Sequence, residues 1–149
     1  MAELLKGTEL VTVGDETVKA EEFLEGKIVA LYFSAGWCPP CRAFTPKLKR
    51  FYDALKKAGK NFEVIFISRD REEEDLKEYF EDHHGEWTYL AFGNPKIQEF
   101  NEKYDVKSIP ALKVIKPDGT VVVQDARTEI VDKGEDPLAL FEEWEAFSD

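Results

Sequence analysis

Two continuous apolar runs of strand length constrain the fold of this chain more than any other feature. Residues 28–34 have the sequence IVALYFS and residues 62–68 have the sequence FEVIFIS. A strand that is apolar along its whole length is buried on both faces, as in the interior of a parallel sheet covered by helices. Between the two runs, Phe44, Leu48 and Phe51 recur at helical spacing. The patterns therefore predict a strand–helix–strand unit with two parallel inner strands.

Shorter patterns extend this unit on both sides. They predict strands at residues 8–13, 111–115 and 120–124, and helices at residues 21–24, 72–84, 96–104 and 137–147. The turn Pro117-Asp118-Gly119 joins the last two strands as a hairpin. This order predicts an α/β fold with a central mixed β-sheet, an antiparallel edge and helices on both faces. The length of 149 residues, with 43% hydrophobic residues, is typical of one domain, which we place at residues 1–149.

The charge of the chain excludes some classes of partner. The formal net charge is −11 at pH 7, whereas binding to phosphate groups requires clustered lysine and arginine, so nucleic acid is not expected as a partner.

No apolar stretch reaches transmembrane length, and residues 1–7 lack the apolar core of a signal peptide. We therefore expect no membrane association and a cytoplasmic location, with the nucleus as a second location.

Both cysteines of the chain lie in Trp37-Cys38-Pro39-Pro40-Cys41, directly after the first buried strand and at the predicted start of a helix. A disulfide that closes so short a loop contributes little stability, so the pair points to chemistry. Unpaired N–H groups and the dipole at a helix N-terminus favour a thiolate, and prolines are tolerated in the first turn. We expect Cys38 to be the nucleophile and Cys41, one turn later and better shielded, to be the resolving cysteine.

The segment from Phe33 to Arg42 resembles the thioredoxin superfamily, and its Pro-Pro centre is similar to that of tryparedoxins and nucleoredoxins. The resemblance continues in order along most of the chain, at residues 62–68, 77–80, 104–110 and 124–128. It implies a thioredoxin-like fold and an enzyme of the thiol–disulfide oxidoreductase class. Such an enzyme acts mainly as a reductant of disulfides in proteins or small molecules.

The resemblance also suggests residues that contact the substrate. It implies a cis peptide bond at Ile109-Pro110 that packs against the dithiol, and a position for Arg127 near the substrate. Pro46 corresponds to a proline that kinks the helix in this family. Trp37 is consistent either with an apolar platform beside an exposed Cys38 sulfur or with ordinary core packing. The predicted substrate-binding residues are Trp37, Pro39, Ile109, Pro110 and Arg127.

Two departures from the family pattern affect mechanism and specificity. Thioredoxins carry a buried aspartate on the strand before the motif, whereas this chain has Tyr32 there, so the proton acceptor for Cys41 is left open. Arg69 and Arg71 replace a tryptophan and a glutamate that face trypanothione in tryparedoxins. This replacement favours protein substrates, as in nucleoredoxins, over trypanothione.

The expected partners are disulfide-containing proteins, with peroxidases as one candidate class, and a reducing partner. We expect the protein itself to be a monomer. We expect no bound cofactor, because electrons come from an external dithiol or an NADPH-dependent flavoenzyme reductase. A zinc site is disfavoured because His83 and His84 are adjacent, which suits the polar end of a helix better than a ligand pair. The alternative function is a redox-sensitive protein-binding module of nucleoredoxin type with slow turnover.

Overall fold

Strands and helices alternate along the chain. The computed structural model describes residues 2–148, with side chains from residue 4 onward. The strands are β1 (Glu9–Val11), β2 (Thr17–Lys19), β3 (Ile28–Ser34), β4 (Phe62–Ser68), β5 (Thr88–Tyr89), β6 (Ala111–Ile115) and β7 (Val121–Val123). The helices are α1 (Ala2–Leu5), α2 (Ala20–Phe23), α3 (Pro39–Lys57), α4 (Glu73–His83), α5 (Pro95–Lys103), α6 (Ala126–Lys133) and α7 (Pro137–Ser148).

The two apolar runs form the centre of one mixed sheet with the strand order β2-β1-β5-β4-β3-β6-β7. Strands β3 and β4 are parallel over their full length, from the pair Ile28–Phe62 to the pair Ser34–Ser68. On its other side β3 pairs antiparallel with β6, which continues into the β6–β7 hairpin. This arrangement confirms the predicted parallel inner pair and antiparallel edge.

Helices cover both faces of the sheet and enclose two apolar cores. One core joins alternate residues of β3 and β4, including Tyr32 and Phe66, to buried side chains of α3, α4, α6 and α7. The other core joins Leu31, Phe33 and Ile65 to side chains from α1, α2 and the region of α5. The structure therefore has the thioredoxin-like architecture that the family resemblance implies.

Four elements of the structure are absent from the sequence-based prediction: α1, β2, β5 and α6. Strands β2 and β5 have three and two residues, too few for a pattern of alternation. Helix α6 buries only Ala126 and Ile130, so it lacks a strong apolar period. It begins where the Asp125 carboxylate accepts hydrogen bonds from the amide and hydroxyl of Thr128, at 3.2 and 2.7 Å.

Helix α3 carries the cysteine motif at its N-terminus. Cys38 is its N-cap, and Pro39 and Pro40 occupy the first two positions, where no intrahelical N–H bond is lost. Pro46 lies inside the helix, as the family resemblance implies. Within residues 2–148, no helix combines the length and the apolar character that crossing a bilayer requires.

Candidate redox site

The Cys38 sulfur lies at the junction between β3 and α3. Cys38 has an extended backbone, with φ −98° and ψ 110°, and its Sγ accepts a hydrogen bond from the amide of Cys41 at 3.3 Å. Its thiol donates to the carbonyl oxygen of Ile109 at 3.8 Å. The sulfur therefore receives an amide donor at the positive end of a helix, an arrangement that stabilises a thiolate.

Both cysteines are free thiols in this structure, and both are buried. Cys41 has no exposed surface and Cys38 is 4% exposed. Cys41 is therefore the better shielded of the two, but the expectation of an exposed Cys38 sulfur is wrong. The reason is the inward N-cap geometry, which packs Cys38 against Ala35, Cys41 and Ile109.

The environment of Cys41 stabilises its thiol. Burial, the largest effect, and the hydrogen bond with Cys38 raise the pKa of Cys41 to about 12. Hydrogen bonds with the Ser34 hydroxyl and the Ala35 backbone act in the opposite direction. Any reaction in which Cys41 attacks a disulfide therefore needs groups that stabilise its anion.

Hydrogen bonds from both the Trp37 side chain and the Gly36 main chain hold the loop before Cys38 in place. The Trp37 ring is 58% exposed, and its Nε1 donates to the carbonyl oxygen of Arg69 at 3.2 Å. Core packing is therefore excluded for Trp37, which forms an apolar surface next to the dithiol loop. The buried amide of Gly36 donates to Asp70 Oδ1 at 2.8 Å, and Arg42 donates to the carbonyl oxygen of Gly36.

The two arginines that distinguish this chain have different environments. The Arg69 guanidinium donates to Asn101 Oδ1 through Nε and Nη2, at 3.0 and 2.8 Å, and also to the carbonyl oxygen of Val106. It is therefore bound within the protein. Arg71 is exposed.

The structure brings Ile109 to Cys38 and places Arg127 in a groove with Pro110. The Ile109–Pro110 peptide bond is cis, as the resemblance implies, and Pro110 is buried. Pro110 and Arg127 line one groove of about 360 Å³, together with Lys113. Pro39 is exposed in the first turn of α3.

A network of four buried hydroxyls beneath Cys41 was not predicted from the sequence. Thr45 Oγ1 lies 2.6 Å from the hydroxyl of Tyr32 and 2.7 Å from that of Tyr79, and the Tyr79 hydroxyl lies 2.8 Å from Ser34 Oγ. Thr45 Oγ1 also donates to the carbonyl oxygen of Cys41 at 2.8 Å. Two spacings in the sequence are consistent with this network: Tyr32 and Ser34 share a face of β3, and Cys41 and Thr45 are one helical turn apart. Nothing in the sequence indicates that Tyr79 joins them.

The interpretation of the histidine pair as a polar helix end is wrong for His84. Its ring is buried among aromatic side chains, where its Nδ1 accepts a hydrogen bond from Trp87 Nε1 at 3.0 Å. Burial, followed by repulsion from His83, holds the pKa of His84 well below its ordinary value. His83 is exposed and lies 3.0 Å from Arg42 Nη1. Residues 4–148 contain no cluster of three or more histidine, cysteine or acidic residues that could hold a metal ion.

The sequence and the fold both match known proteins. A sequence model of the family described as Thioredoxin-like matches residues 26–121. Probable nucleoredoxin 1 from Arabidopsis thaliana is 42% identical over 120 residues, which are 80% of this chain and 20% of that protein. Tryparedoxin from Trypanosoma brucei brucei is 44% identical over 118 residues, 76% of each chain. The crystal structure of a thioredoxin from Wuchereria bancrofti has a TM-score of 0.82 and 41% identity, covering 96% of this chain and 97% of that one.

The fold and the helix-capping dithiol are those of the thioredoxin-like class of proteins. The chain belongs to the thioredoxin-like family, and its relatives include nucleoredoxins and tryparedoxins. It spans only about a fifth of the length of the plant nucleoredoxin that it matches.

Proposed function

We propose that this protein is a thiol–disulfide oxidoreductase that works mainly as a reductant, with Cys38 as nucleophile and Cys41 as resolving cysteine. The observation that carries the proposal is the N-cap position of the Cys38 sulfur, which accepts the Cys41 amide at 3.3 Å. A thiolate, not a thiol, attacks a disulfide, and this position favours the thiolate.

The proposed cycle has two exchange steps. In the first, the Cys38 thiolate attacks a substrate disulfide, forms a mixed disulfide and releases one substrate thiolate. In the second, Cys41 attacks the Cys38 sulfur, and the bond between Cys38 and the substrate breaks. The proton of Cys41 ends on the departing substrate sulfur. The substrate is then reduced to two thiols, and the protein holds a Cys38–Cys41 disulfide that an external dithiol or an NADPH-dependent flavoenzyme reductase must reduce.

The proposed substrates are protein disulfides, including those of peroxidases. The exposed Trp37 ring and Pro39 offer an apolar surface beside the motif, and Ile109 contacts Cys38 on its other side. Pro110 and Arg127 extend this surface as a groove. Arg69 supports a substrate other than trypanothione, because its guanidinium is engaged by Asn101. We further propose that the protein works as a monomer in the cytoplasm, with the nucleus as a second location, and that residues 1–149 form one domain.

An insulin-reduction assay tests this proposal. Reduced protein is added to insulin with dithiothreitol, and aggregation of the freed insulin chains is followed by turbidity. We expect acceleration over dithiothreitol alone, and loss of that acceleration in Cys38→Ser. Asp132→Ala, on the exposed surface of α6, serves as a control variant with wild-type acceleration.

The alternative function predicts a different result. A binding module of nucleoredoxin type would dock a partner and turn over slowly. If the wild-type protein does not exceed dithiothreitol alone, the oxidoreductase proposal fails and the binding module is favoured.

A further inference from the structure

A cavity of about 460 Å³ lies between α3, α4, β5 and the turn that joins β1 to β2. It shares no lining residue with the groove that Trp37 lines or with the groove of Pro110 and Arg127. Sites for small molecules in proteins have volumes of roughly 300–1,000 Å³. The cavity therefore has room for a small molecule, and it is separate from the redox site.

Two aromatic residues, Phe80 of α4 and Tyr89 of β5, form an apolar floor in this cavity. Their ring centroids are 4.5 Å apart, and the residues are 5% and 4% exposed. The Phe80 ring stacks in turn on Phe66 of the core, with an angle of 3° between the ring planes. Tyr89 is held in the sheet by pairing with Val11 and Phe66. The aromatic floor is therefore fixed by the core of the protein.

The hydroxyl of Tyr89 has no hydrogen-bond partner among residues 4–148. It is also not one of the fully enclosed side-chain atoms without a partner, which in this part of the chain are limited to Nε2 of His84. The hydroxyl of this otherwise buried residue therefore reaches the cavity that Tyr89 lines. The other four tyrosines of the chain all bond within the protein: Tyr32, Tyr52, Tyr79 and Tyr104.

The charged groups around the cavity are mostly acidic. Four carboxylates from four separate segments line it: Asp15, Asp53, Glu81 and Glu86. Asp15 follows Gly14 in a turn where both residues have positive φ, 94° and 66°, as in the tight turns that join antiparallel strands. Two ammonium groups, those of Lys49 and Lys77, oppose the four carboxylates. The lining therefore has a net negative charge.

This negative charge acts at the Tyr89 hydroxyl itself. Burial is the largest cause that raises the pKa of Tyr89, and the charges of Asp15, Glu81 and Glu73 raise it further. The phenol is therefore protonated at neutral pH, and its oxygen retains lone pairs that accept hydrogen bonds. In a field of this sign, a cationic donor is the favoured partner for that oxygen.

The carboxylates suit an organic cation better than a metal ion. They are spread around the cavity, and residues 4–148 contain no group of three acidic, histidine or cysteine residues that could hold a metal. An ammonium group already approaches the rim, where Lys77 Nζ lies 3.6 Å from Asp15 Oδ1. Both of these side chains are well exposed, so the pair is weak and does not compete strongly with a bound cation.

We propose that this cavity binds a small amphipathic amine, a molecule that carries an ammonium group on an apolar stem. The ammonium group donates a hydrogen bond to the Tyr89 hydroxyl, and the surrounding carboxylates balance its charge. The apolar stem packs on the rings of Phe80 and Tyr89, whose faces also attract a cation. The proposal goes beyond the proposed redox function and does not depend on it, because the cavity contains no residue of the dithiol site.

A titration with three matched probes tests the sign of the charge that the cavity selects. The probes are 2-phenylethylamine, the neutral 2-phenylethanol and the anionic 3-phenylpropionate. Binding is followed by two-dimensional NMR of the ¹⁵N-labelled protein, in which the amides of Gly14 and Gly85 report on the cavity. We expect the amine to bind about tenfold more tightly than the alcohol, as one hydrogen bond to a charged group implies, and the carboxylate not to bind. Salt should weaken binding of the amine.

Three variants test the residues that the proposal assigns. Tyr89→Phe keeps the ring and removes a hydroxyl that has no partner in the protein, so it folds normally and weakens amine binding about tenfold. Glu81→Gln weakens binding severalfold because it removes a counter-charge. Lys77→Gln tightens binding because it removes a competing cation. Asp132→Asn, on the exposed surface of α6, is the control and binds the amine as the wild type does.

A lysine side chain of a partner protein carries the same ammonium group on an apolar stem. Nα-acetyl-lysine methylamide therefore serves as a further probe, and we expect it to bind more weakly than phenylethylamine because it lacks an aromatic ring. Tighter binding of the blocked lysine would overturn the assignment to a small molecule.

Other results would overturn the amine site itself. They are the absence of shifts at Gly14 and Gly85 with millimolar phenylethylamine, unchanged affinity in Tyr89→Phe, and weaker binding in Lys77→Gln. None of these results affects the oxidoreductase proposal. Conversely, a protein that fails to reduce insulin and still binds the amine leaves this site in place.

Discussion

The hydrogen bonds of Asp70 make the position of the dithiol loop depend on one carboxylate. Asp70 is 8% exposed, and its Oδ1 accepts the buried amide of Gly36 at 2.8 Å while its Oδ2 accepts from Ser68 Oγ at 2.6 Å. The residue therefore ties the end of β4 to the start of the loop that carries Trp37. Asp70→Ala removes both bonds and leaves the Gly36 N–H buried without an acceptor.

The expected loss of stability in Asp70→Ala follows from these two hydrogen bonds. A hydrogen bond to a charged group contributes about 1.5 kcal/mol or more, so losing two of them lowers the free energy of unfolding by about 3 kcal/mol. For a domain of this size, that loss lowers Tm by roughly 6–12 °C. Asp70→Asn keeps an acceptor for Gly36, so we expect a cost of about 1 kcal/mol.

Urea titration followed by tryptophan fluorescence measures these differences, with calorimetry for Tm. Asp132→Ala, an exposed residue of α6, is the matched control and stays within about 0.5 kcal/mol of wild type. The reasoning is refuted if Asp70→Ala costs less than about 1 kcal/mol, or if Asp132→Ala costs as much.

Three further predictions address the core, pH dependence and specificity. Trp144 is fully buried between aromatic rings of α3 and β4, so Trp144→Ala lowers the free energy of unfolding by about 3–5 kcal/mol in urea titration; a cost below about 1 kcal/mol would contradict that packing. The pKa of His84 is depressed in the folded state, so below about pH 6.5 the unfolded state binds a proton that the folded state does not. Stability therefore falls as pH decreases from there, by up to about 1.4 kcal/mol per unit; His84→Phe flattens that slope in denaturant titrations and His83→Gln does not. Arg127→Ala raises KM for a protein disulfide severalfold with little change in kcat, and an unchanged KM would remove Arg127 from the substrate surface.

The sequence predicts the central part of the fold because its signals are local and strong. The runs at 28–34 and 62–68 are β3 and β4 with the predicted bounds, since burial on both faces requires continuous apolar sequence. The start of α3 at Pro39 follows from the chemistry of helix N-termini. Strand β5 has two residues and owes its existence to pairing with β1 and β4, which no local pattern reveals.

The candidate site likewise has features that the sequence predicts and features that it does not. The dithiol and its helix-start position are visible in five consecutive residues, and the cis bond at Pro110 came from family resemblance. The burial of Cys38 and His84 could not be predicted, because it depends on segments distant in sequence that cover them. The contact of Tyr79 with Ser34, 45 residues apart, likewise exists only in the folded chain.

Trapping of a mixed disulfide tests the central claim most directly. Reduced Cys41→Ser is mixed with an oxidised protein substrate such as insulin, and the products are measured by intact-mass spectrometry without reductant. The account predicts a stable covalent complex through Cys38 in Cys41→Ser, and no complex in Cys38→Ser. A complex trapped by Cys38→Ser and not by Cys41→Ser would reverse the two roles and contradict the account.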